Sequence, residues 1–281
     1  MNGRWRGVLA RMMTLSGLAQ RGFFIPYRYS AKLSGSGGRP SYQEVEALLQ
    51  SRADAFHTFL STIDGFGPEL ERIGTEPPPA PRWTQDWFPR LDAAAAYALV
   101  RSLKPRRIVE IGAGHSTRFV VRAVHDGGLD TSITAIDPAP RADLSRLPVE
   151  VIRSTVQEAG NEVFADFDGG DFLMIDSSHI LVPGSDVDLL LNRVLPSLPA
   201  GTVVHVHDIF LPDDYPGDWT WRGYNEQLGV APLLFGGAFE VLFSSRYAVT
   251  RMADMVAATV VGRLSLVKGA VESSLWLRKI A

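Results

Sequence analysis

A strand that runs directly into a glycine turn, at residues 107–117, constrains the fold more than any other stretch of this sequence. The segment Arg107-Ile108-Val109-Glu110-Ile111 is largely apolar, and Gly112-Ala113-Gly114 follows it. A helical pattern then covers residues 115–124, so the order predicts a strand, a tight turn and a helix N-terminus. Glycines there permit positive φ and let a ligand approach the backbone, where free N–H groups of the helix can bind it.

Two side chains in this stretch narrow the choice of ligand. Thr117 stands near the place of the third glycine in the dinucleotide fingerprint, which disfavours NAD or FAD. Glu110 lies at the carboxyl end of the strand, where its charge would repel a pyrophosphate but could accept a hydrogen bond from an ammonium or hydroxyl group. An NAD(P)-dependent oxidoreductase therefore stays open only as an alternative.

The acid-x-Gly-x-Gly pattern of residues 110–114 resembles the first motif of the class I S-adenosylmethionine-dependent methyltransferases. The resemblance implies that the turn lies along the methionine part of the cofactor. Asp137 follows Glu110 by 27 residues, near the spacing of roughly 20 at which an acid binds ribose hydroxyls. Val156 is placed near the adenine by analogy. The residues predicted to bind the cofactor are Glu110, Gly112, Ala113, Gly114, His115, Ser116, Asp137, Val156 and Asp176.

Strand and helix patterns alternate after the glycine turn. Strands are predicted at 132–137, 149–153, 171–176 and 202–208, with helical stretches between most of them, which indicates a parallel sheet. Residues 239–250 predict two strands around a tight turn. The predicted fold class is therefore α/β: a Rossmann-like, seven-stranded, mostly parallel sheet with a terminal antiparallel hairpin and helical N-terminal and C-terminal extensions.

Four regions follow from this pattern. Residues 1–40 form a basic amphipathic arm and linker, and residues 41–90 a helical N-terminal extension. The S-adenosylmethionine-binding methyltransferase domain is expected at 91–252, and a helical C-terminal tail at 253–281.

Acids also end two neighbouring strands of the predicted sheet. Asp176 ends the fourth strand, with His179 three residues on, and His207-Asp208 end the fifth. Two carboxylates at one edge of a sheet repel each other unless a cation lies between them or one takes a proton. Mg²⁺ with oxygen ligands would resolve the conflict.

This arrangement resembles the metal-dependent sugar O-methyltransferases of macrolide biosynthesis. The resemblance implies that Asp176 and Asp208 bind a metal and that His179 is the general base, so Asp176 and His179 are the predicted catalytic residues. His207 departs from the family pattern because an acid is expected there; as a third metal ligand it would favour Mn²⁺, Fe²⁺ or Zn²⁺ over Mg²⁺. Metal independence, with His179 acting alone, stays open.

The predicted activity is methyl transfer from S-adenosylmethionine to a hydroxyl group of a small molecule or sugar. The long aromatic and polar segment 209–226, beside the strand ends, is the best candidate for acceptor recognition. A non-catalytic binding or scaffold protein on the same fold is the alternative from another class.

Composition limits the partners. The net charge is −3 and 46% of the residues are hydrophobic, which gives no nucleic-acid signature. Cysteine is absent, which excludes thiolate chemistry and agrees with a cytoplasmic location.

The first 43 residues contain seven Arg or Lys and no acid. This arm either contacts a membrane or other anionic surface or packs on the protein body. The apolar tail, 253–281, could pack on the arm or on a second subunit, so homo-oligomerisation is a further possibility.

Overall fold

The computed structural model describes residues 3–33 and 39–281, which divide into two units. The larger unit consists of Tyr42–Pro212 and Asn225–Ala281. Its strands are β1 (Arg107–Ile111), β2 (Ser132–Ile136), β3 (Glu150–Ile152), β4 (Phe172–Ile175), β5 (Val203–Val206), β6 (Phe239–Ser244) and β7 (Leu275–Lys279). The helices before the sheet are α2 (Gln43–Ser51), α3 (Ala53–Gly65), α4 (Gly67–Arg72) and α5 (Arg90–Leu103). Those that follow β1 are α6 (His115–Gly127), α7 (Val156–Ala159), α8 (Asp186–Leu189), α9 (Leu195–Ser197), α10 (Glu226–Phe235), α11 (Ser245–Arg251) and α12 (Ala253–Ala258).

The seven strands form one sheet in the order β3-β2-β1-β4-β5-β7-β6. The pairs from β3 to β5 are parallel, and β7 runs antiparallel to both β5 and β6. The order reverses between β1 and β4, and ligands of open α/β sheets bind beyond the strand ends at such a point. This topology confirms the predicted seven-stranded, mostly parallel fold.

The central strands are buried on both faces, as parallel strands covered by helices must be. Every residue of β4 and β5 is buried, and so are the alanines 93–96 of α5. Small alanine side chains let α5 lie close to its neighbours, and its helix ends where Lys104 takes a left-handed conformation with φ of 51°. The helix therefore brings its first turn, with the buried acid Asp92, into the core.

The antiparallel part of the sheet differs from the predicted hairpin. Residues 239–244 form β6, but the next residues form helix α11, whose N-terminus is capped by the Ser244 hydroxyl accepting the backbone N–H of Tyr247. The seventh strand is Leu275–Lys279, inside the tail that was expected to be helical. β6 and β7 are neighbouring antiparallel strands, but the chain joins them through α11, α12 and the 3-10 helix Val260–Arg263 and not through a tight turn.

The smaller unit consists of residues up to Ser41 together with Asp213–Tyr224. It contains helix α1 (Gly3–Leu15) and short 3-10 helices at Ser30–Lys32 and Gly217–Arg222. The two segments of this unit are joined by an ion pair in which Arg39 donates to Asp214 at 2.6 Å. The predicted linker lies partly outside the described residues, at 34–38. None of the helices in the described part of the chain combines the length and hydropathy that a membrane crossing requires.

Candidate functional site

The glycine turn after β1 lies directly against the end of β4. Gly112 has a φ of +80°, and a Cβ there would be 1.9 Å from the backbone oxygen of Asp176. The neighbouring strands fix the turn, because Gly112 donates its N–H to Ile136 O and Asp176 donates its N–H to Ile111 O. Only glycine fits this position. The turn and the carboxyl end of β4 are therefore one joined structure.

Glu110 is held by hydroxyl groups from the first turn of α6. Ser116 donates to one carboxylate oxygen and Thr117 to the other, while Thr117 Oγ1 accepts the N–H of Gly114 at 3.0 Å. Burial raises the pKa of Glu110 to about 7, with the nearby acids Asp176 and Asp137 adding to the shift. At 2% exposure, Glu110 shapes the turn, and the predicted contact with the cofactor does not follow from its geometry. Thr117 stands where the dinucleotide fingerprint has its third glycine, and its hydroxyl makes two hydrogen bonds, to Gly114 and to Glu110.

Asp137 also braces the turn. Its carboxylate accepts the N–H of Ala113 at 2.8 Å and the N–H of Ala139 at 2.7 Å. Each oxygen keeps a lone pair that could accept a ribose hydroxyl. The other predicted cofactor residues begin helices nearby: His115 opens α6 and the buried Val156 opens α7. Burial, with Arg118 and Arg82, lowers the pKa of His115 to about 4, so its ring is neutral.

A second group of polar side chains lies at the ends of β4 and β5. His179 is buried between three acids: its Nε2 is 3.2 Å from Asp176 and 3.5 Å from Asp208, and its Nδ1 is 2.8 Å from Glu226. A left-handed backbone, with φ of 61° at His179 and 54° at Asp208, aims both side chains into this group. The convergence predicted for Asp176, His179 and Asp208 is present.

His207 joins the same group from the other side. Its Nδ1 is 3.6 Å from Asp176 and 3.7 Å from Asp208, and its Nε2 is 3.3 Å from the buried Asp92. Asp92 also accepts the backbone N–H of Ser273. We call Asp92, Asp176, His179, His207, Asp208 and Glu226 the acid–imidazole cluster.

Charge pairing sets the protonation states in this cluster. Burial alone would lower the pKa values of His179 and His207, but the adjacent carboxylates outweigh it and raise both well above the usual histidine value. Burial alone would raise the pKa of Asp176, but the two imidazoliums lower it well below the usual range. Both imidazoles therefore carry protons near neutral pH, so the expected role of His179 as a general base does not follow from this geometry.

The same pairing bears on the predicted metal. A cation between Asp176 and Asp208 was needed to offset their repulsion, and the His179 imidazolium already lies there. Within residues 3–33 and 39–281, no three His, Cys, Asp or Glu side chains have the arrangement of a metal site. The predicted ligands Asp176, His207 and Asp208 lie close together, and a metal ion bound by them stays a prediction.

Sequence reasoning missed Asp92, and it placed Glu226 in the segment for acceptor recognition and not in this cluster. Asp92 lies within the alanine-rich stripe of α5, and an acid among buried alanines is a signal that could have found it. Glu226, which begins α10, is fully buried, and burial raises its pKa although His179 opposes the shift. His205 lies outside the ion pairs: it is 2.8 Å from Ser274 Oγ, its ring packs on Trp276, and burial lowers its pKa to about 3.

The family of this region follows from a comparison with protein-family models. Residues 109–209 match the family described as "Methyltransferase domain". These residues form a class I methyltransferase domain. The match includes the glycine turn, Asp137 and the cluster residues Asp176, His179, His207 and Asp208. It confirms the predicted S-adenosylmethionine-dependent methyltransferase class, and it favours this class over the dinucleotide oxidoreductase.

Solved structures with a similar chain path include three methyltransferases. The O-methyltransferase TomG from Streptomyces achromogenes, solved with SAM, has 14% identity and a TM-score of 0.45, covering 79% of this chain and 90% of its own. An O-methyltransferase from Bacillus cereus, solved with SAH, has 13% identity and a TM-score of 0.42, with 80% and 91% covered. The Podospora anserina methyltransferase PaMTH1, solved with SAH, has 14% identity and a TM-score of 0.42, with 92% and 100% covered. A search of curated proteins gave no match.

Proposed function

We propose that this protein transfers a methyl group from S-adenosylmethionine to a hydroxyl group of a small molecule or sugar. One contact carries the proposal: the backbone of Asp176 lies against Gly112. The glycine turn, which would bind the methyl donor, therefore touches the acid at the end of β4. A methyl donor along the turn would thus be next to the Asp176 carboxylate.

Asp176 is the member of the cluster that a substrate can reach. Its side chain is 28% exposed, against 4% for His179, 6% for His207 and 11% for Asp208. An ionised carboxylate accepts hydrogen bonds and cannot donate them, so it selects an acceptor that presents a hydroxyl or another donor. The adjacent imidazoliums keep Asp176 ionised, and a fixed hydrogen bond would aim a lone pair of the acceptor oxygen for in-line attack.

When bound, S-adenosylmethionine supplies an electrophilic methyl group on a sulfonium. Bound along the glycine turn, it would accept attack by the acceptor oxygen and leave as the neutral thioether, and the methylated oxygen would be strongly acidic. Asp176 takes the released proton and passes it to solvent through its exposed side. His179 and His207 are positioning residues in this scheme, because they hold Asp176 in place and charged.

The test measures transfer of labelled methyl from S-adenosylmethionine to matched hydroxyl and amine acceptors. Removing the carboxylate charge with Asp176→Asn should lower the transfer rate about 10²- to 10⁴-fold, while calorimetry shows that the donor still binds. The matched control is Asp168→Asn, an acid with 78% side-chain exposure that precedes β4 at the other end of the strand. Its rate should be unchanged.

Two results would contradict the proposal. Transfer by Asp176→Asn at the normal rate would remove the role of the carboxylate, and transfer to amines alone would remove the hydroxyl specificity. The same assay with added Mg²⁺, and with a chelator, tests whether methyl transfer needs a metal ion. The scheme expects equal transfer rates under both conditions.

A further inference from the structure

The N-terminal arm carries more exposed large hydrophobic side chains than all the other described residues together. Eleven of the twenty exposed large hydrophobic side chains among the described residues lie between 8 and 33. They are Val8, Leu9, Met12, Leu15, Leu18, Phe23, Phe24, Ile25, Tyr27, Tyr29 and Leu33, which we call the arm surface. Leu18 is 80% exposed and Ile25 69%. Single apolar residues scattered over a protein surface are ordinary, but eleven of them between residues 8 and 33 indicate a binding surface.

The charge of the arm is as one-sided as its hydrophobicity. Seven Arg or Lys and no Asp or Glu occur before Glu44, whereas the remaining residues carry 21 basic and 31 acidic side chains. The arm is therefore strongly positive and the rest of the chain is negative. An anionic surface would therefore attract the arm and repel the remainder.

Aromatic and cationic groups are interleaved within the arm. The Tyr29 ring has the Arg28 guanidinium 5.5 Å and the Lys32 ammonium 5.7 Å from its centroid, and it makes an edge contact with Tyr27 at 6.0 Å. Rings of this kind lie at the level of lipid headgroups while neighbouring cations reach the phosphates. Helix α1 has 13 residues, about 20 Å of length, so it would lie along a bilayer rather than span it.

We propose that the arm surface binds the protein to an anionic phospholipid bilayer. The arm cations meet the phosphates, and the aromatic and aliphatic side chains enter the headgroup region. A second copy of this chain is the less suitable occupant, because two arms of equal positive charge would repel each other. A polyanion such as nucleic acid would match the charge but leave the aliphatic side chains in water.

The test measures binding of the full chain to phosphatidylcholine vesicles with and without phosphatidylglycerol, by co-sedimentation at low and high salt. Strong binding is expected only with phosphatidylglycerol, and it should weaken as salt screens the charges. The charge variant Arg21→Gln/Arg28→Gln/Lys32→Gln should lower the vesicle partition coefficient about one hundredfold. The apolar variant Phe23→Ser/Phe24→Ser/Ile25→Ser should lower it at least about tenfold.

The control variants change three basic and two apolar residues elsewhere on the surface. Arg146→Gln/Arg153→Gln/Lys268→Gln and Leu228→Ser/Phe235→Ser alter exposed residues outside the arm, and binding should persist in both. Circular dichroism and thermal unfolding establish that each variant is folded. Equal binding to both kinds of vesicle, or equal loss in the control variants, would overturn the proposal. Two other results would also overturn it: dissociation of an oligomer when the arm surface is mutated, and tighter binding of the arm to an oligonucleotide than to vesicles.

Discussion

The carboxyl ends of β1 and β4 each carry an acid, the buried Glu110 and the half-buried Asp176, and the two acids are held in opposite states. Glu110 receives only neutral hydroxyl donors, and its pKa is raised to about 7. Asp176 lies beside two imidazoliums, and its pKa is lowered well below the usual range. The difference shows what neighbouring cations do to an acid at a strand end: without them Glu110 is a structural hydrogen-bond acceptor, and with them Asp176 is a fixed negative charge.

The largest effect should come from removing the cation between the acids. His179→Gln leaves Asp176, Asp208 and Glu226 facing one another, and breaking such a buried pair should lower the free energy of unfolding by about 3–5 kcal/mol. Because the pKa of His179 is raised on folding, its stabilisation is complete below its unfolded value of 6.5 and declines as pH rises toward the folded value. The lowered pKa of Asp176 sets the acid limit of this window, near its unfolded value of 3.8.

Urea unfolding at several pH values measures this effect. The difference between the wild-type protein and His179→Gln should be largest in mildly acidic solution and shrink in alkaline solution. The matched control is His205→Gln, a buried histidine whose ring is neutral because its pKa is lowered to about 3. Its loss of stability comes from packing and should not vary above neutral pH. If the difference in free energy of unfolding between the wild-type protein and His179→Gln did not vary with pH, the His179 ring would act by packing, as His205 does, and not by its charge.

The second effect concerns Glu110, where the sign is reversed. A carboxyl whose folded pKa is raised stabilises the fold fully below its unfolded value of 4.5, and this contribution is lost as pH rises to about 7. Relative to Glu110→Gln, the wild-type protein should therefore lose up to about 3 kcal/mol across that range. Thermal and urea unfolding from acidic to neutral pH measure the loss. The exposed control Glu44→Gln should follow the wild-type curve, and a parallel curve for Glu110→Gln would contradict the raised pKa.

The sequence predicted this sheet edge well because its signals are local or periodic. The apolar strand before Gly112 and the acids at the strand ends follow from alternation along the chain, and parallel strands bring Asp176 and Asp208 to one edge. What it could not predict is the closure of the cluster. Asp92 and Glu226 come from helices far apart in sequence, and only packing shows that they meet the histidines.

The hairpin error has the same physical origin. Residues 239–250 contain apolar and β-branched side chains that suit strand or helix, and short apolar runs do not separate the two. The Ser244 hydroxyl caps the N-terminus of α11, which favours a helix over a strand after residue 244. Residues 275–279 showed the intervals of a helix in isolation, but the open edges of β5 and β6 supply hydrogen-bond partners that only tertiary structure provides.

The smallest expected effect distinguishes the contribution of a hydroxyl hydrogen bond to the pKa of Glu110 from the contribution of burial. Thr117→Val removes one donor to Glu110 and the acceptor of the Gly114 N–H, which should lower the free energy of unfolding by about 1–2 kcal/mol. The same change should move the pKa of Glu110 further upward, because the Thr117 hydrogen bond opposes the effect of burial. The pH range over which stability falls would then shift upward in urea unfolding. Thr117→Ser keeps the hydroxyl and should restore the wild-type range; if it shifts as Thr117→Val does, the methyl group and not the hydrogen bond sets the state of Glu110.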